Sequence, residues 1–385
     1  LYMNKKCINL HITLTPFRNE SRLLKETSSL LNAEELKKIL IVALHEDKLQ
    51  EFETIDARCS VWRVKLKSRS WAKSLWVQIL KYLEFGWRVS RFATANQVNI
   101  VNVHSLGLLP LGVWLKLKLG AKLIYDAHEL ETETAGAKGI RKALSQLTEK
   151  LLIPYVDLTI VVGNKIKEFY QAKYQLKPIV TVLNCPQFRQ SHRTTLLRDK
   201  LNIPQHQKIL LYQGGLSKGR GIEFLLEVGQ TLSNQDYAIV FMGYGELEEK
   251  VKAIASQYSH IYFYPAVPPR EVLQYTASAD VGLSLFEDSC LNHRYCLPNK
   301  LFEYIMAQIP VMVSNLPEMR EVVSSSQVGV VMEDGSRESF LNALSKLASM
   351  DRDYLKNQLS KTSQEFCWEE QEKVMLAAYQ QYLFK

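Results

Sequence analysis

The chain has 385 residues, 46% hydrophobic and 23% charged, ordinary globular values that exclude a disordered, collagen-like or coiled-coil chain. At about 150 residues per domain, the length predicts two domains with a full core each. The formal charge of +8 is uneven: residues 1–190 hold 29 Lys and Arg against 17 Asp and Glu, a net +12, and residues 191–385 carry −4. Such asymmetry points to one half facing an anionic surface, either membrane or nucleic acid.

In chain order, short apolar runs alternate with helical patterns. The strand-like runs of the first half are Ile8–Leu14, Ile39–Leu44, Ile100–His104, Lys122–Asp126, Leu158–Val162 and Ile179–Leu183, with amphipathic stretches at Ser21–Leu31, Trp71–Phe92 and Ile140–Leu152. A second series follows Pro186: strands at Ile209–Gln213, Ala238–Met242, Ile261–Tyr264, Val281–Leu285, Pro310–Ser314 and Val328–Met332, with helices at Ile222–Leu232, Leu247–Ser256, Arg270–Ala279 and Leu301–Gln308. Strands apolar on both faces, alternating with helices, predict parallel sheets covered on both sides. The polar stretch Gln187–Gln207 is the candidate linker. The expectation is an α/β chain of two Rossmann-like, doubly wound domains, residues 1–187 and 188–365, with a C-terminal helix over 366–385 packing back on the first.

The six cysteines show no CxxC spacing and are too sparse for a disulfide framework, so reduced thiols and a cytoplasmic location are expected. The first residues lead straight into Ile8–Ile12 without the pattern of a secretory leader. The longest nearly uncharged stretch, Leu106–Leu115, is half the roughly 20 residues of a membrane span. A membrane partner would then be met peripherally.

In doubly wound sheets, ligands bind at the carboxyl ends of strands. Three segments stand there. Gly214, Gly215, Lys218 and Arg220 lie between a strand and a helix, where glycines admit a ligand to the backbone and a helix N-terminus offers free N–H groups to phosphate. This is neither a Walker A loop nor a GxGxxG fingerprint. Asn299, Lys300 and Glu303 open a helix after Pro298; a cation there can meet phosphate and a carboxylate can accept from a ribose diol, although an exposed i,i+3 ion pair gives the same spacing. Asp126 and His128 end one strand and His104 the preceding one, positions for acid/base work or hydroxyl binding, or for structural hydrogen bonds.

Together these segments resemble the retaining glycosyltransferases of family 4, with the GT-B fold. The resemblance is strongest over Leu210–Val313, where Gln213-Gly214-Gly215-x4-Gly219-Arg220-Gly221, Met242-Gly243-Tyr244-Gly245, Ser278-Ala279-Asp280-Val281-Gly282-Leu283 and Pro298-Asn299-Lys300-Leu301-Phe302-Glu303-Tyr304 follow in the family's order. It implies that the C-terminal domain binds a nucleotide-sugar and the N-terminal domain the acceptor, with transfer in the cleft between them. Arg220 then takes the diphosphate-binding place, Glu303 the ribose hydroxyls, and Gly243, Tyr244 and Gly245 border the nucleotide. Asp126 and His128 match the motif that approaches the transferred sugar; Asn19 and Arg22 sit where the first strand–helix loop meets acceptor. Two positions depart from the pattern: Tyr295 replaces the first glutamate of Glu-x7-Glu, and Gly215 stands where arginine is frequent. With no Asp-x-Asp cluster near this site, Arg220, Lys300 and backbone N–H groups would stabilise the departing diphosphate without a metal or other cofactor. A non-catalytic GT-B partner subunit and a sugar-nucleotide epimerase are the alternatives.

The segment Arg63–Phe92 carries Lys65, Lys67, Arg69, Lys73, Lys81, Arg88 and Arg91 against one acid, Glu84. At about 100° per residue, Lys73, Lys81, Arg88 and Arg91 fall within roughly 80° of one another. Trp76, Ile79, Leu80, Leu83 and Trp87 form a separate stripe, expected to pack on the sheet while the basic face and Trp71 touch anionic lipid. That predicts a protein peripheral on the inner face of the cell membrane, acting on a glycan or lipid-linked acceptor. No nucleic-acid recognition pattern accompanies the charge.

Overall fold

The computed structural model describes residues 6–18, 20–72, 74–175 and 178–384. The chain divides into two compact units, one of Leu1–Val182 with Glu372–Lys385 and one of Leu183–Gln371. The helix Trp368–Tyr382 thus begins in the second unit and ends in the first.

In the first unit, strands β1 (Cys7–Ile12), β2 (Leu36–Leu44), β3 (Phe52–Asp56), β4 (Cys59–Val64), β5 (Ile100–Val103), β6 (Lys122–Ala127), β7 (Leu158–Val161) and β8 (Ile179–Thr181) form one sheet in the order β3-β4-β2-β1-β5-β6-β7-β8. Each neighbouring pair is parallel except β3 on β4. The β3–β4 hairpin is absent from the expected pattern because β3 is an exposed edge strand rich in polar residues. Arg63 on β4 is buried, not part of a basic surface: its guanidinium donates to the carbonyls of Pro16, Gln50 and Phe17 and pairs with Glu53.

In the second unit, β9 (Lys208–Gly215), β10 (Tyr237–Tyr244), β11 (Ile261–Pro265), β12 (Val281–Ser284), β13 (Val311–Val313) and β14 (Gly329–Val331) pair in the order β11-β10-β9-β12-β13-β14, all parallel. Successive side chains enter two different cores: Leu211 and Val240 pack with Leu301 and Ile305, while Leu210, Tyr212 and Phe241 pack with Leu225 and Phe340. Burial on both faces is why these strands read as unbroken apolar runs. The candidate linker is no free tether. It contains the helix Leu196–Leu201, buries Leu197, and ties Arg193 to Asp280.

Each sheet reverses its strand order once, between β1 and β5 and between β9 and β12. The carboxyl ends flanking such a reversal form the crevice where this architecture takes ligands.

The helix over the basic segment runs Leu75–Ala95, and it corrects the expected packing. Its buried residues are Phe85, Gly86, Val89, Ser90 and Ala93, mostly small. The large apolar stripe points outward: Trp76 is 76% exposed, Leu83 59% and Trp87 55%. Ile140, Leu144, Leu147 and Leu151 on the helix Gly139–Leu152 are exposed too. Of the basic residues, Lys73 lies outside the described residues. No helix among those described is long and apolar enough to cross a membrane.

Candidate active site

In the second unit the site forms at the β9/β12 reversal. β9 and β12 pair only through Val281↔Leu210 and Gly282↔Leu211, then diverge. Tyr304 fills the opening: its hydroxyl accepts the Gln213 N–H at 3.0 Å and lies 3.1 Å from the Leu211 and Leu283 carbonyl oxygens. Gly282 makes the room, since a Cβ there would stand 2.2 Å from the Tyr304 ring. Asp280 has a structural task, accepting from the Ile209 N–H at 2.7 Å and pairing with Arg193.

Past that opening, β9 and β10 end side by side, with Gly214 against Gly243 and Gly215 against Tyr244. A Cβ on Gly243 would strike the Gly214 carbonyl oxygen at 1.9 Å, so the two backbones meet with no side chain between them. Gly214 has φ +110° and a Cβ there would lie 3.7 Å from the Lys300 ammonium; one on Gly215 would lie 3.2 Å from an Arg220 nitrogen. Gly215 therefore leaves its space to the Arg220 guanidinium, a physical reason for lacking the arginine frequent at that position. Arg220 and Lys300 each stand 5.6 Å from the centre of the Phe286 ring.

Lys300 is the unusual member. It is 6% exposed, its ammonium lies 3.6 Å over the Tyr212 ring, and it has no hydrogen-bond partner among the described residues. Burial, then the Arg220 charge, hold its pKa well below 10.5. Glu303 does not make the simple i,i+3 hydrogen-bonded pair with it; its carboxylate accepts from the Gln213 amide, and Gln213 in turn accepts from Thr276 at 2.7 Å. Asn299 is exposed at the start of the helix Asn299–Met306, Tyr244 at the end of β10 and Gly245 just after it are exposed, and Lys218 is exposed with its backbone N–H on Glu246 at 3.1 Å.

In the first unit, polar side chains meet at the β1/β5 reversal in one hydrogen-bonded series. The Asn9 amide nitrogen is 3.2 Å from His11 Nε2, His11 Nδ1 is 3.0 Å from His104 Nε2, and His104 Nδ1 is 3.0 Å from Asp126. His128 Nε2 reaches the same carboxylate at 2.8 Å. With Asn9 donating at one end and Asp126 accepting at the other, one assignment satisfies the series: His11 and His104 are neutral and each carries its proton on Nδ1. Burial holds both rings below 6.5, and for His11 the neighbouring His104 adds to it. Burial works against ionisation of Asp126, but Arg22, His128 and His104 outweigh it and hold its carboxyl well below 3.8.

Two expected contacts need correction. Arg22 is turned inward: 6% exposed, it donates to both Asp126 oxygens at 3.2 and 2.9 Å and to the Val182 carbonyl, and pairs with Glu26 at 2.8 Å. It positions Asp126 and is not free for an acceptor. Asp126 and His104 are themselves buried, so the reachable group is His128, whose side chain is 35% exposed. Asn19 lies outside the described residues. His104, Asp126 and His128 offer ligand atoms within 4.8 Å of one another, spacing a metal could use, yet both Asp126 oxygens already accept from the Arg22 cation. That guanidinium disfavours a second cation there. Asn9, His11 and Glu26 were not foreseen; for Asn9 and His11 the signal is polar residues at alternate positions of an otherwise apolar strand, and Glu26, on the helix Ser21–Leu30, carries none.

These two crevices, on two doubly wound sheets, define the class of GT-B glycosyltransferases. Residues 38–185 match the family described as Glycosyltransferase Family 4, and residues 194–366 match Glycosyl transferases group 1. The chain belongs to these glycosyltransferases. It is 21% identical over 290 residues to a probable glycosyltransferase, WbjE, of Pseudomonas aeruginosa, covering 72% of each chain. Among solved structures it resembles sucrose-phosphate synthase of Thermosynechococcus elongatus (13% identity, TM-score 0.80, 97% and 98% coverage) and Anabaena HepE in complex with UDP-glucose (12%, 0.74, 97% and 99%). It also resembles WaaG, a glycosyltransferase involved in lipopolysaccharide biosynthesis (14%, 0.68, 97% and 99%).

Proposed function

We propose that the chain is a retaining, metal-independent hexosyltransferase that takes its sugar from a nucleotide diphosphate donor and builds a cell-surface polysaccharide or glycolipid. The observation that carries this reading is Lys300, a buried cation without a hydrogen-bond partner among the described residues, set beside Arg220 and two glycines that leave the backbone open. A diphosphate would supply the missing counter-charge. As the anomeric bond loosens, the sugar gains oxocarbenium character and negative charge collects on the departing diphosphate, where preorganised cations act most strongly. Glu303, oriented by Gln213, would hold the ribose hydroxyls, and Gly243 and Gly245 would flank the base. In the first unit, His128 would meet the transferred sugar while Asp126 fixes its ring. The UDP-glucose bound by HepE and the lipopolysaccharide role of WaaG favour a UDP-sugar donor and a lipid-linked acceptor. The free thiols and the basic first unit fit the cytoplasmic side of a membrane.

Screening UDP-, GDP- and dTDP-sugars for thermal stabilisation tests the donor site, because a ligand bound well above its Kd raises Tm. Glu303→Ala should weaken the stabilising nucleotide with the fold intact; unchanged affinity by calorimetry removes Glu303 from the site. Donor binding without transfer to any glycan or lipid-linked acceptor would favour the non-catalytic reading that Tyr295 suggests.

A further inference from the structure

The helices Leu75–Ala95 and Leu109–Leu119 pack side by side in the first unit, and an apolar groove of about 350 Å³ runs between them. Leu83, Gly86 and Trp87 form one wall, Pro110, Leu111 and Trp114 the other. Gly86 is the telling residue. Glycine within a helix costs stability relative to alanine. Helix packing does not demand it here, because a Cβ at 86 would touch Leu111 at 3.5 Å and Trp114 at 3.9 Å, ordinary contacts. What the missing side chain leaves is depth in the groove.

The groove opens among exposed apolar side chains, Trp76, Leu80 and Leu117 with Trp87 and Trp114, and cations stand over its two tryptophans: Arg91 4.9 Å from the Trp87 ring centre, Lys118 5.6 Å from that of Trp114. On the other side of Tyr82, which lines both spaces, lies a second cavity of about 440 Å³ beside the carboxyl ends of β1 and β2. Its wall is mainly apolar but carries polar groups that the first lacks, among them His45, Arg69 and Lys81. Arg69 and Lys81 donate to backbone carbonyls, of His45 and of Arg69 and Trp71, and neither pairs with a carboxylate among the described residues. Glu46 in the same wall is taken by Arg18 at 2.7 Å. The turn carrying Arg69 is held by Glu84, whose carboxylate accepts the N–H groups of Lys67 and Ser68 at 2.8 and 3.0 Å.

An apolar groove beside an exposed apolar face, with a cavity carrying two cations without a carboxylate partner among the described residues across one shared tyrosine, has the polarity of an amphiphile. We propose that these two neighbouring spaces together bind an anionic lipid acceptor, its hydrocarbon chain in the groove along Gly86, its body crossing Tyr82, and its phosphate on Arg69 and Lys81. This rests on the reading of the acceptor as lipid-linked and adds where the lipid is held. The surrounding tryptophans and leucines would enter the bilayer interface from which such a lipid is drawn.

Farnesyl phosphate, titrated below micelle formation into the full chain and followed by tryptophan fluorescence, tests it against farnesol and inorganic phosphate. Wild type should bind farnesyl phosphate at least tenfold tighter than either. Gly86→Ala should raise Tm yet weaken farnesyl phosphate at least fivefold, Gly86→Leu should abolish binding, and Lys81→Gln should reduce it to the level of farnesol. If the leucine variant does not fold, the alanine variant decides. Unchanged affinity in Gly86→Ala, or equal binding of inorganic phosphate and farnesyl phosphate, overturns the proposal. So does a concentration-dependent dimer in sedimentation velocity that Trp87→Ala dissolves, which would give the face to a second copy of the chain. UDP binding measured on the same samples separates the two readings: its loss counts against the donor site, whereas loss of farnesyl phosphate binding alone counts against the lipid site.

Discussion

Replacing Lys300 by Met should make the unliganded protein more stable and the donor weaker, two changes of opposite sign from one residue. The ammonium is 6% exposed without a hydrogen-bond partner among the described residues, so taking it out of water costs several kcal/mol. The Tyr212 ring 3.6 Å away returns about 2 kcal/mol as a desolvated cation–π contact. The net cost is about 1–3 kcal/mol, which a methionine of similar length removes. With donor present, the same ammonium makes a charge-assisted bond to the diphosphate, about 1.5–3 kcal/mol, so Kd should rise roughly 10- to 150-fold. The pH dependence gives a second reading. Because the folded pKa lies below 10.5, the unfolded chain holds the extra proton, and stability should rise with pH from the folded value up to 10.5. Lys300→Met should abolish that slope. Urea unfolding with and without UDP, at several pH values, measures all three. A variant less stable than wild type with unchanged UDP affinity would refute the reasoning, since the fold itself would then be satisfying the ammonium.

Asp126→Asn should cost about 3–5 kcal/mol, because it leaves the buried Arg22 guanidinium with Glu26 alone; urea unfolding followed in the first unit checks it, and a loss under 1 kcal/mol contradicts the pairing. His11 and His104 stay neutral in the fold below pH 6.5 while the unfolded chain takes up protons, so stability should fall as pH drops from 6.5, with Glu26 working in the opposite sense because burial and Asp126 raise its carboxyl. His11→Gln should flatten the Tm profile between pH 6.5 and 5, and an unchanged slope would mean the ring is already charged in the fold. In the proposed transfer reaction, Arg220→Ala should lose about 2–4 kcal/mol of transition-state stabilisation, read as kcat/KM; wild-type turnover would put the diphosphate elsewhere.

What the sequence made legible follows from how strictly each feature is dictated. Strands buried on both faces must be apolar throughout, so all twelve of the parallel core runs noted in the sequence coincide with strands, whereas β3 and β4, at a half-exposed edge, carry no such pattern. The glycines of the second unit's crevice were legible for a similar reason. Gly243 and Gly282 stand where a Cβ would overlap neighbouring atoms, and a steric exclusion leaves a mark in the sequence. The exclusion by Gly282 acts on Tyr304, twenty-two residues along the chain, which explains how separate short motifs come to describe one crevice.

The outward stripe of the helix Leu75–Ala95 was illegible because helical periodicity reports that apolar residues share a face without saying which way it points. The assumption that the bulkiest face is buried fails here, since the buried face combines Phe85 and Val89 with the small residues Gly86, Ser90 and Ala93 while the large stripe faces outward. The inner half of the polar series went unread for the opposite reason. His104 was legible as a strand-end residue, but Asn9 and His11 lie within a strand whose other members are apolar, and only the adjacency of β1 and β5 joins them to His104 in a series ending on Asp126. Such adjacency is a property of sheet order, which no local window contains. The same holds for Arg22: its place after the first strand marks it for a ligand, yet the buried Asp126 across the sheet offers a stronger partner than any solvated acceptor. A cation that reaches a buried carboxylate first becomes part of the scaffold, and the partly exposed His128 that the carboxylate orients is the member of the series left open to solvent.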